Sequence, residues 1–171
     1  MYAPDTFDYV HVRNLGQAIS DWASVLGDIR TALKPGAYVE LSENGGECHA
    51  DDDSLAPGHG TVEWFALMGK GMLKLGRPER MHVALLEANL RAAGFVDVVT
   101  KRIKLPLTPW AKDKDLKRVG AMNLLSSETG YGAYGMSLFT KCLGLSTEEA
   151  KAVCDKGLHD ARTAGAHIYQ F

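Results

Sequence analysis

Two strand-like runs of the sequence end in side chains that can exchange protons or bind anions. His11 and Arg13 close a run that begins at Phe7, and Glu43 follows a second run, Ala37–Leu41. Histidine exchanges protons near neutral pH, and a neighbouring carboxylate fixes which ring nitrogen carries the proton. We therefore predict that His11 and Glu43 form a general acid/base pair.

Two other charged residues of these runs, Arg13 and Glu40, have different predicted roles. Arg13 is predicted to act with the pair, binding either a substrate oxyanion or carboxylates of the sheet itself. Glu40 alternates onto a sheet face, so we expect it to be an ion-pair partner rather than a catalyst. A structural role for His11 is the alternative to catalysis, because a single histidine at a strand end is often a satisfied structural residue.

The loop after the second run contains possible metal ligands. It holds His49, three consecutive aspartates from Asp51 to Asp53, and His59. Imidazoles and carboxylates are common ligands of divalent ions, yet this spacing matches no ligand motif. We predict a solvated loop and no metal.

Aromatic and methionine side chains are concentrated in two later segments. Large apolar residues at helical spacing usually pack a core, but methionine, tryptophan and tyrosine above a sheet end can also form an adaptable pocket for a polycyclic, apolar molecule. The predicted substrate-binding residues are Trp64, Met68, Trp110, Tyr131 and Tyr134.

Hydrophobic periodicity predicts a layered α/β domain. Strand and helix patterns alternate in the order Phe7–Val12, Asn14–Leu33, Ala37–Leu41, Glu79–Ala93 and Phe95–Val99. Ser20 with Asp21 is expected to cap the main part of the first helix. Helices follow at 112–125 and 132–143, and a third begins at the capping signal Ser146-Thr147-Glu148-Glu149.

Composition excludes several classes of function. The chain has 171 residues, 46% of them hydrophobic, which suits one domain with its own core. A net charge of -2 without a basic block argues against nucleic acid as a partner. The sequence has neither a signal-peptide pattern nor a long apolar segment, which argues against export and membrane insertion. Its three cysteines are widely spaced, which is typical of reduced thiols. We expect a cytoplasmic protein.

Six sequence pieces together resemble a known family. In chain order they are FDYVHVR, DW, LKPGAYVELSE, RAAGFVDV, KLPLTPWAKD and LGLSTEEAK. They resemble the second half of the fungal class I S-adenosylmethionine-dependent methyltransferases related to the regulator of secondary metabolism. The resemblance implies a partial, Rossmann-like methyltransferase fold with about three strands. It also implies a single truncated domain, with an α/β part at 1–105 and a helical lid over the acceptor at 106–171.

The resemblance also implies which parts of the family fold this chain lacks. The strand like Phe7–Val12 is the fourth of the family, so the glycine-rich turn and the ribose-binding acid that hold the cofactor are expected outside this chain. The last strand is expected beyond Phe171. We therefore expect no bound cofactor, unless a complementing half supplies the site for S-adenosylmethionine. The exposed Phe7–Val12 strand predicts a homo-oligomer.

Three functional hypotheses remain open. The favoured one is an enzyme of secondary-metabolite biosynthesis that has lost the cofactor site and acts as a cyclase, isomerase or dehydratase on an apolar small molecule. The first alternative is a methyltransferase fragment that needs a complementing partner. The second alternative is a non-catalytic regulatory or scaffold module.

Overall fold

The computed structural model describes residues 2–163 and 165–171, which form a mixed α/β arrangement. The elements are β1 (Phe7–Arg13), α1 (Trp22–Ala32), β2 (Leu33–Ser42), α2 (Gly60–Lys74), α3 (Val83–Ala92), β3 (Leu105–Pro106), α4 (Lys114–Lys141), α5 (Thr147–Thr163) and β4 (Tyr169–Gln170). They divide into two compact units. The first comprises the residues up to Gly45 with Arg80–Lys101, and the second comprises Gly46–Glu79 with Arg102–Phe171. No helix within the described residues is both long and apolar enough to cross a membrane.

The first unit is built on a parallel pair of strands. β1 and β2 pair with His11 opposite Glu40 and Val12 opposite Leu41. Alternation along β1 sends Val12 to one face, where it is buried with Trp22 of α1 and with other apolar residues. The opposite face carries polar and aromatic side chains and is open to solvent.

The first helix begins later than the periodicity predicts. Asn14 has a positive φ of 52°, which ends the strand in a turn and prevents a helix from starting there. α1 begins instead at Trp22, after Asp21, whose carboxylate accepts the N–H of Ser24 at 2.9 Å. The predicted cap near Ser20-Asp21 is therefore confirmed, and the predicted start at Asn14 is wrong.

The predicted third strand, Phe95–Val99, is also wrong. This segment belongs to no strand, and Val96 and Val99 are 80% and 90% exposed. A β-rich sequence forms a strand only where a neighbouring strand completes its hydrogen bonds and packs its side chains, and none does so here within the described residues. The mixed α/β class is confirmed, whereas a parallel sheet of about three strands is not.

The second unit centres on three helices, α2, α4 and α5. Its core contains Trp64, Tyr131 and Phe139, of which Phe139 is fully buried. α4 is one helix of 28 residues where the sequence predicts two. Interior glycines cost only about 1 kcal/mol each, and burial of the apolar face around Phe139 offsets that cost.

The grouping of segments differs from the predicted break near residue 105. The segment Gly46–Glu79 belongs with the C-terminal helices, because Trp64 and Met68 of α2 fill their core. Near the end of the chain, Tyr169–Gln170 forms β4 and pairs antiparallel with β3. The position of the family's last strand beyond Phe171 stays a prediction.

The start of α5 follows the sequence signal closely. The N–H of Ser146 donates to Glu149 Oε2 at 2.8 Å, and the N–H of Glu149 donates to Ser146 Oγ at 3.1 Å. Hydrogen bonds to the Glu149 carboxylate from the backbone N–H of Ser146, and then from its side chain, lower the pKa of Glu149, because they favour its charged form. The predicted capping box is confirmed.

Candidate functional site

The solvent-facing side of the β1–β2 pair carries a connected group of three polar side chains. His11 Nδ1 lies 2.9 Å from Glu40 Oε2, and the hydroxyl of Tyr9 donates to the same carboxylate oxygen. The Tyr9 and His11 rings are stacked with centroids 6.4 Å apart. The Tyr9 hydroxyl, followed by His11, lowers the pKa of Glu40, because both hydrogen bonds favour the carboxylate.

The carboxylate partner of His11 is therefore Glu40, and the predicted pairing with Glu43 is wrong. Glu43 lies just beyond β2, and its oxygens accept the backbone N–H groups of Leu15 at 3.0 Å and Gly16 at 2.9 Å. Parallel strands end at the same edge, so the residue after β2 meets the turn after β1 rather than a side chain within it. Glu40 is the hydrogen-bond partner of His11, and the two form an ion pair only when His11 is protonated.

Arg13 lies at the end of β1, opposite Ser42 of β2, and is exposed. Its side chain is on the same side of the strand as His11, because residues two apart share a face. Binding of an oxyanion by Arg13 stays a prediction.

Three of the predicted substrate-binding residues are core residues of the second unit. Trp64, Met68 and Tyr131 are only 7%, 6% and 6% exposed. The Trp64 and Tyr131 rings meet edge to face with centroids 4.9 Å apart, and Trp64 Nε1 donates to the Tyr131 carbonyl at 3.1 Å. These side chains stabilise the helix packing, so their contact with a substrate stays a prediction that requires the core to open.

Tyr131 also belongs to a buried hydrogen-bond chain. Its hydroxyl donates to Thr61 Oγ1 at 2.8 Å, and Thr61 donates to the Gly157 carbonyl at 3.1 Å. Burial raises the pKa of Tyr131 to about 12, since the phenolate would be desolvated. The chain links α2, α4 and α5 through one set of satisfied polar groups.

The other two predicted substrate-binding residues are accessible. Tyr134 of α4 is 68% exposed. Trp110 is half-buried, donates from Nε1 to the Ile168 carbonyl at 2.9 Å and lies beside the His167 ring. The Trp110 indole therefore holds the segment before β4 by a hydrogen bond, which agrees with a structural role. Part of its ring is exposed to solvent.

The acidic loop, Asp51 to Asp53, is exposed to solvent, as predicted, and is also attached to the C-terminal strand. His49 and Tyr169 exchange two backbone hydrogen bonds, each of 2.9 Å, and the Tyr169 hydroxyl donates to Asp51 at 2.8 Å. Asp52 accepts from His167 Nδ1 at 2.6 Å. Asp51 and Asp52 thus have different partners, and no group of three or more potential metal ligands occurs within residues 2–163 and 165–171.

The other histidine of this loop, His59, is buried and caps α2. Its Nδ1 accepts the N–H of Thr61 at 3.3 Å. Burial lowers the pKa of His59, because the charged imidazolium would be desolvated. His59 is therefore held as a neutral capping group.

The attachment of the acidic loop predicts a pH response. Hydrogen bonds from Ser54, and then from His167, lower the pKa of Asp52 from 3.8 to about 2. The carboxylate therefore contributes stability above pH 3.8, and this contribution is lost as pH falls through about 2. Carboxyl ¹³C NMR should give a midpoint near pH 2, and Ser54→Ala should move that midpoint upward. An unchanged midpoint in Ser54→Ala would show that the loop is not held by this bond.

Sequence reasoning missed Tyr9 as a site residue and assigned Glu40 only as an ion-pair partner. The alternation of β1 places Tyr9 on the same face as His11, which was a usable signal. The strand register that brings Glu40 to both of them depends on the pairing of β1 with β2, which the sequence does not specify.

The parallel strand pair, the helices behind it and the C-terminal helices agree with part of a methyltransferase fold, and comparison with known proteins supports this class. No protein-family model matches the chain. It is similar to the methyltransferase pytC of Aspergillus terreus, with 30% identity over 90% of this chain and 47% of that protein.

Two further relatives extend this similarity. The methyltransferase cpsF of Aspergillus campestris is 26% identical over 95% of this chain and 57% of its own length. The secondary metabolism regulator laeA of Aspergillus fumigatus is 26% identical over 96% of this chain and 44% of its own length. The predicted resemblance to fungal methyltransferases and secondary-metabolism regulators is confirmed. The chain spans about half the length of the curated relatives it matches.

Proposed function

We propose that this chain forms the acceptor-binding part of a fungal methyltransferase that acts on a small molecule of secondary metabolism. The similarity to named methyltransferases over 90% or more of the chain is the observation that carries the proposal. The half-exposed His11, backed by Glu40, supports it, since transfer of a methyl group to a hydroxyl requires removal of a proton. An apolar small molecule is the proposed substrate.

The cofactor S-adenosylmethionine would be held by a part of the fold that this chain does not contain. A glycine-rich turn that holds such a cofactor joins a strand directly to a helix. Gly45-Gly46 follows β2, but α2 begins only at Gly60, so the intervening loop does not have that form. Gly46 also begins the segment that belongs to the second unit.

Calorimetric titration of S-adenosylmethionine tests whether the cofactor is bound outside this chain. We expect no detectable binding to this chain alone. A fusion of this chain to the part of Aspergillus terreus pytC that it does not match should bind the cofactor and transfer its methyl group to an acceptor. Micromolar binding of S-adenosylmethionine by the chain alone would contradict the proposal. A fusion that folds and binds the cofactor but methylates none of a panel of small molecules from secondary metabolism would also contradict it.

A cofactor-independent cyclase, isomerase or dehydratase is the second candidate. The pairing of His11 with Glu40 favours it, because this pair can transfer protons without a methyl donor. Turnover of a small molecule by the chain alone, with no S-adenosylmethionine present, would support this candidate over methyl transfer.

A non-catalytic regulatory or scaffold module is the third candidate. Similarity to the secondary metabolism regulator laeA favours it. This candidate predicts that an Ala substitution at His11 leaves the regulatory effect unchanged, whereas both enzymatic candidates predict a loss of function.

A second copy of the chain is the proposed partner, paired along the outer edge of β1. Asn14 donates its N–H to Ser42 at 3.0 Å and Thr6 donates to Ala32 at 2.8 Å, so alternation directs the backbone groups of Tyr9 and His11 away from β2. No strand of the described residues pairs with that edge. Unpaired edges are sites of association between chains.

Sedimentation at micromolar concentration should therefore show a dimer or larger species. Tyr9→Pro removes one outward-facing N–H and should give a monomer, because proline is tolerated at an edge but cannot donate there. Tyr9→Phe keeps that N–H and serves as the matched control, which should still associate. A monomeric wild-type chain would refute the second copy as partner.

A further inference from the structure

The solvent-facing side of the β1–β2 pair combines a proton acceptor with two exposed aromatic rings. We propose that this face binds a planar, hydroxylated aromatic molecule and that His11 Nε2 accepts the proton of its hydroxyl group. The inference rests on the proposed function and specifies the class of acceptor. All of the residues that carry it belong to the first unit.

The hydrogen bonds of Glu40 determine which nitrogen of His11 is basic. An ionised carboxylate can only accept, so His11 Nδ1 donates its proton to Glu40 Oε2 across 2.9 Å. In the neutral ring, the lone pair then lies on Nε2, for which the structure gives no partner among the described residues. The same arrangement of carboxylate and imidazole prepares a histidine as a base in hydrolytic triads.

Tyr9 restrains Glu40 in this arrangement. Its hydroxyl donates to the same oxygen, Oε2, that accepts from His11. The carboxylate is therefore held between two side chains of β1 and cannot rotate away without losing both bonds. Glu40 and Tyr9 are positioning residues, and His11 is the proposed catalytic residue.

The aromatic rings on this face indicate the shape of the ligand. Tyr9 is directly opposite Tyr38 in the strand register, and the two side chains are 52% and 75% exposed. Exposed phenol rings at facing positions of two paired strands offer a surface on which a flat aromatic molecule can stack. The neighbouring His11 would meet a hydroxyl group on the rim of that molecule.

The proposed step is a single proton transfer. The O–H bond of the bound phenol breaks, its electron pair stays on oxygen, and a new N–H bond forms at His11 Nε2. The ring becomes an imidazolium whose Nδ1–H stays bonded to Glu40, so the carboxylate offsets the new positive charge. The resulting phenolate is the stronger nucleophile for a methyl group.

The test uses 4-nitrophenol, whose anion is coloured, and requires no cofactor. At a pH where most of the free compound is protonated, addition of the chain should increase nitrophenolate absorbance saturably. His11→Ala should abolish this increase, and Glu40→Gln should reduce it. Asp8→Asn is the matched carboxylate control, because Asp8 pairs with Lys34 and strand alternation assigns it to the face opposite His11. His159→Ala is the imidazole control, in exposed α5 surface.

A second measurement tests the positioning role separately. At a pH where the His11 ring is neutral, ¹⁵N NMR should show its proton on Nδ1. Glu40→Gln should shift the tautomer equilibrium toward a proton on Nε2. A wild-type ring with its proton on Nε2, or a nitrophenolate signal unchanged by His11→Ala, overturns the inference. Methyl transfer by the fusion protein without any effect of the chain on 4-nitrophenol overturns the inference while leaving the proposed function standing.

Discussion

Trp64→Ala should lower the free energy of unfolding by about 3–5 kcal/mol, the usual cost of removing a large aromatic side chain from a core. The indole packs against Phe65, Tyr131 and Phe139 with ring centroids 5.0, 4.9 and 6.3 Å away. The substitution also leaves the Tyr131 carbonyl without its indole donor. This loss is a large share of the roughly 5–15 kcal/mol that stabilises a typical domain.

Urea denaturation measures this effect as a lower midpoint at an unchanged slope. Tyr134→Ala is the matched control, because it removes an aromatic ring from the same helical unit at an exposed position of α4. It should change stability by no more than about 0.5 kcal/mol. A loss below about 1 kcal/mol in Trp64→Ala would mean that the indole lines an open pocket, as the sequence suggested.

His11→Ala should reduce methyl-transfer turnover of the fusion protein by roughly 10²- to 10⁴-fold, the usual contribution of general acid–base catalysis. The expected loss is in kcat, because the imidazole accepts the proton during the chemical step and the exposed rings of Tyr9 and Tyr38 stay in place. Folding should be nearly unchanged, since the His11 side chain is on the exposed side of β1.

Steady-state kinetics with a phenolic acceptor provides the measurement. Free imidazole added to His11→Ala should restore part of the activity, because a small base can enter the space left by the side chain. Asp8→Asn should keep wild-type turnover, as its carboxylate pairs with Lys34 outside the proposed site. Full activity of His11→Ala would remove His11 from the mechanism and leave a site that acts by positioning alone.

The sequence predicted local features of the fold where short-range signals decide the outcome. Alternation located β1 and β2, and the capping signals located the starts of α1 and α5 through Asp21 and Ser146. The third strand was mispredicted, because the exposed Val96 and Val99 have β propensity but no partner strand.

The candidate site was harder to predict, because it depends on contacts between distant segments. His11 was found, but its partner was taken to be Glu43 at the strand end, since a sequence does not give the register between two strands. Glu40 is 29 positions from His11 and reaches it only through the pairing of β1 with β2. Trp64 and Tyr131 were assigned to a pocket because helical spacing alone does not distinguish a core from a lined cavity.

The buried hydrogen bonds that connect α2, α4 and α5 affect the order in which the polypeptide folds. Thr61 and Gly157, which they join, are separated by 96 positions, so α2 is synthesised long before its packing partner. Until then, the apolar side of α2 that bears Trp64 and Met68 has no core to enter. Contacts between positions so far apart in the sequence slow folding. Until α5 is synthesised, the exposed apolar face of α2 can aggregate or bind chaperones. Folding of the second unit should therefore be completed only after synthesis of α5, however early the first unit forms.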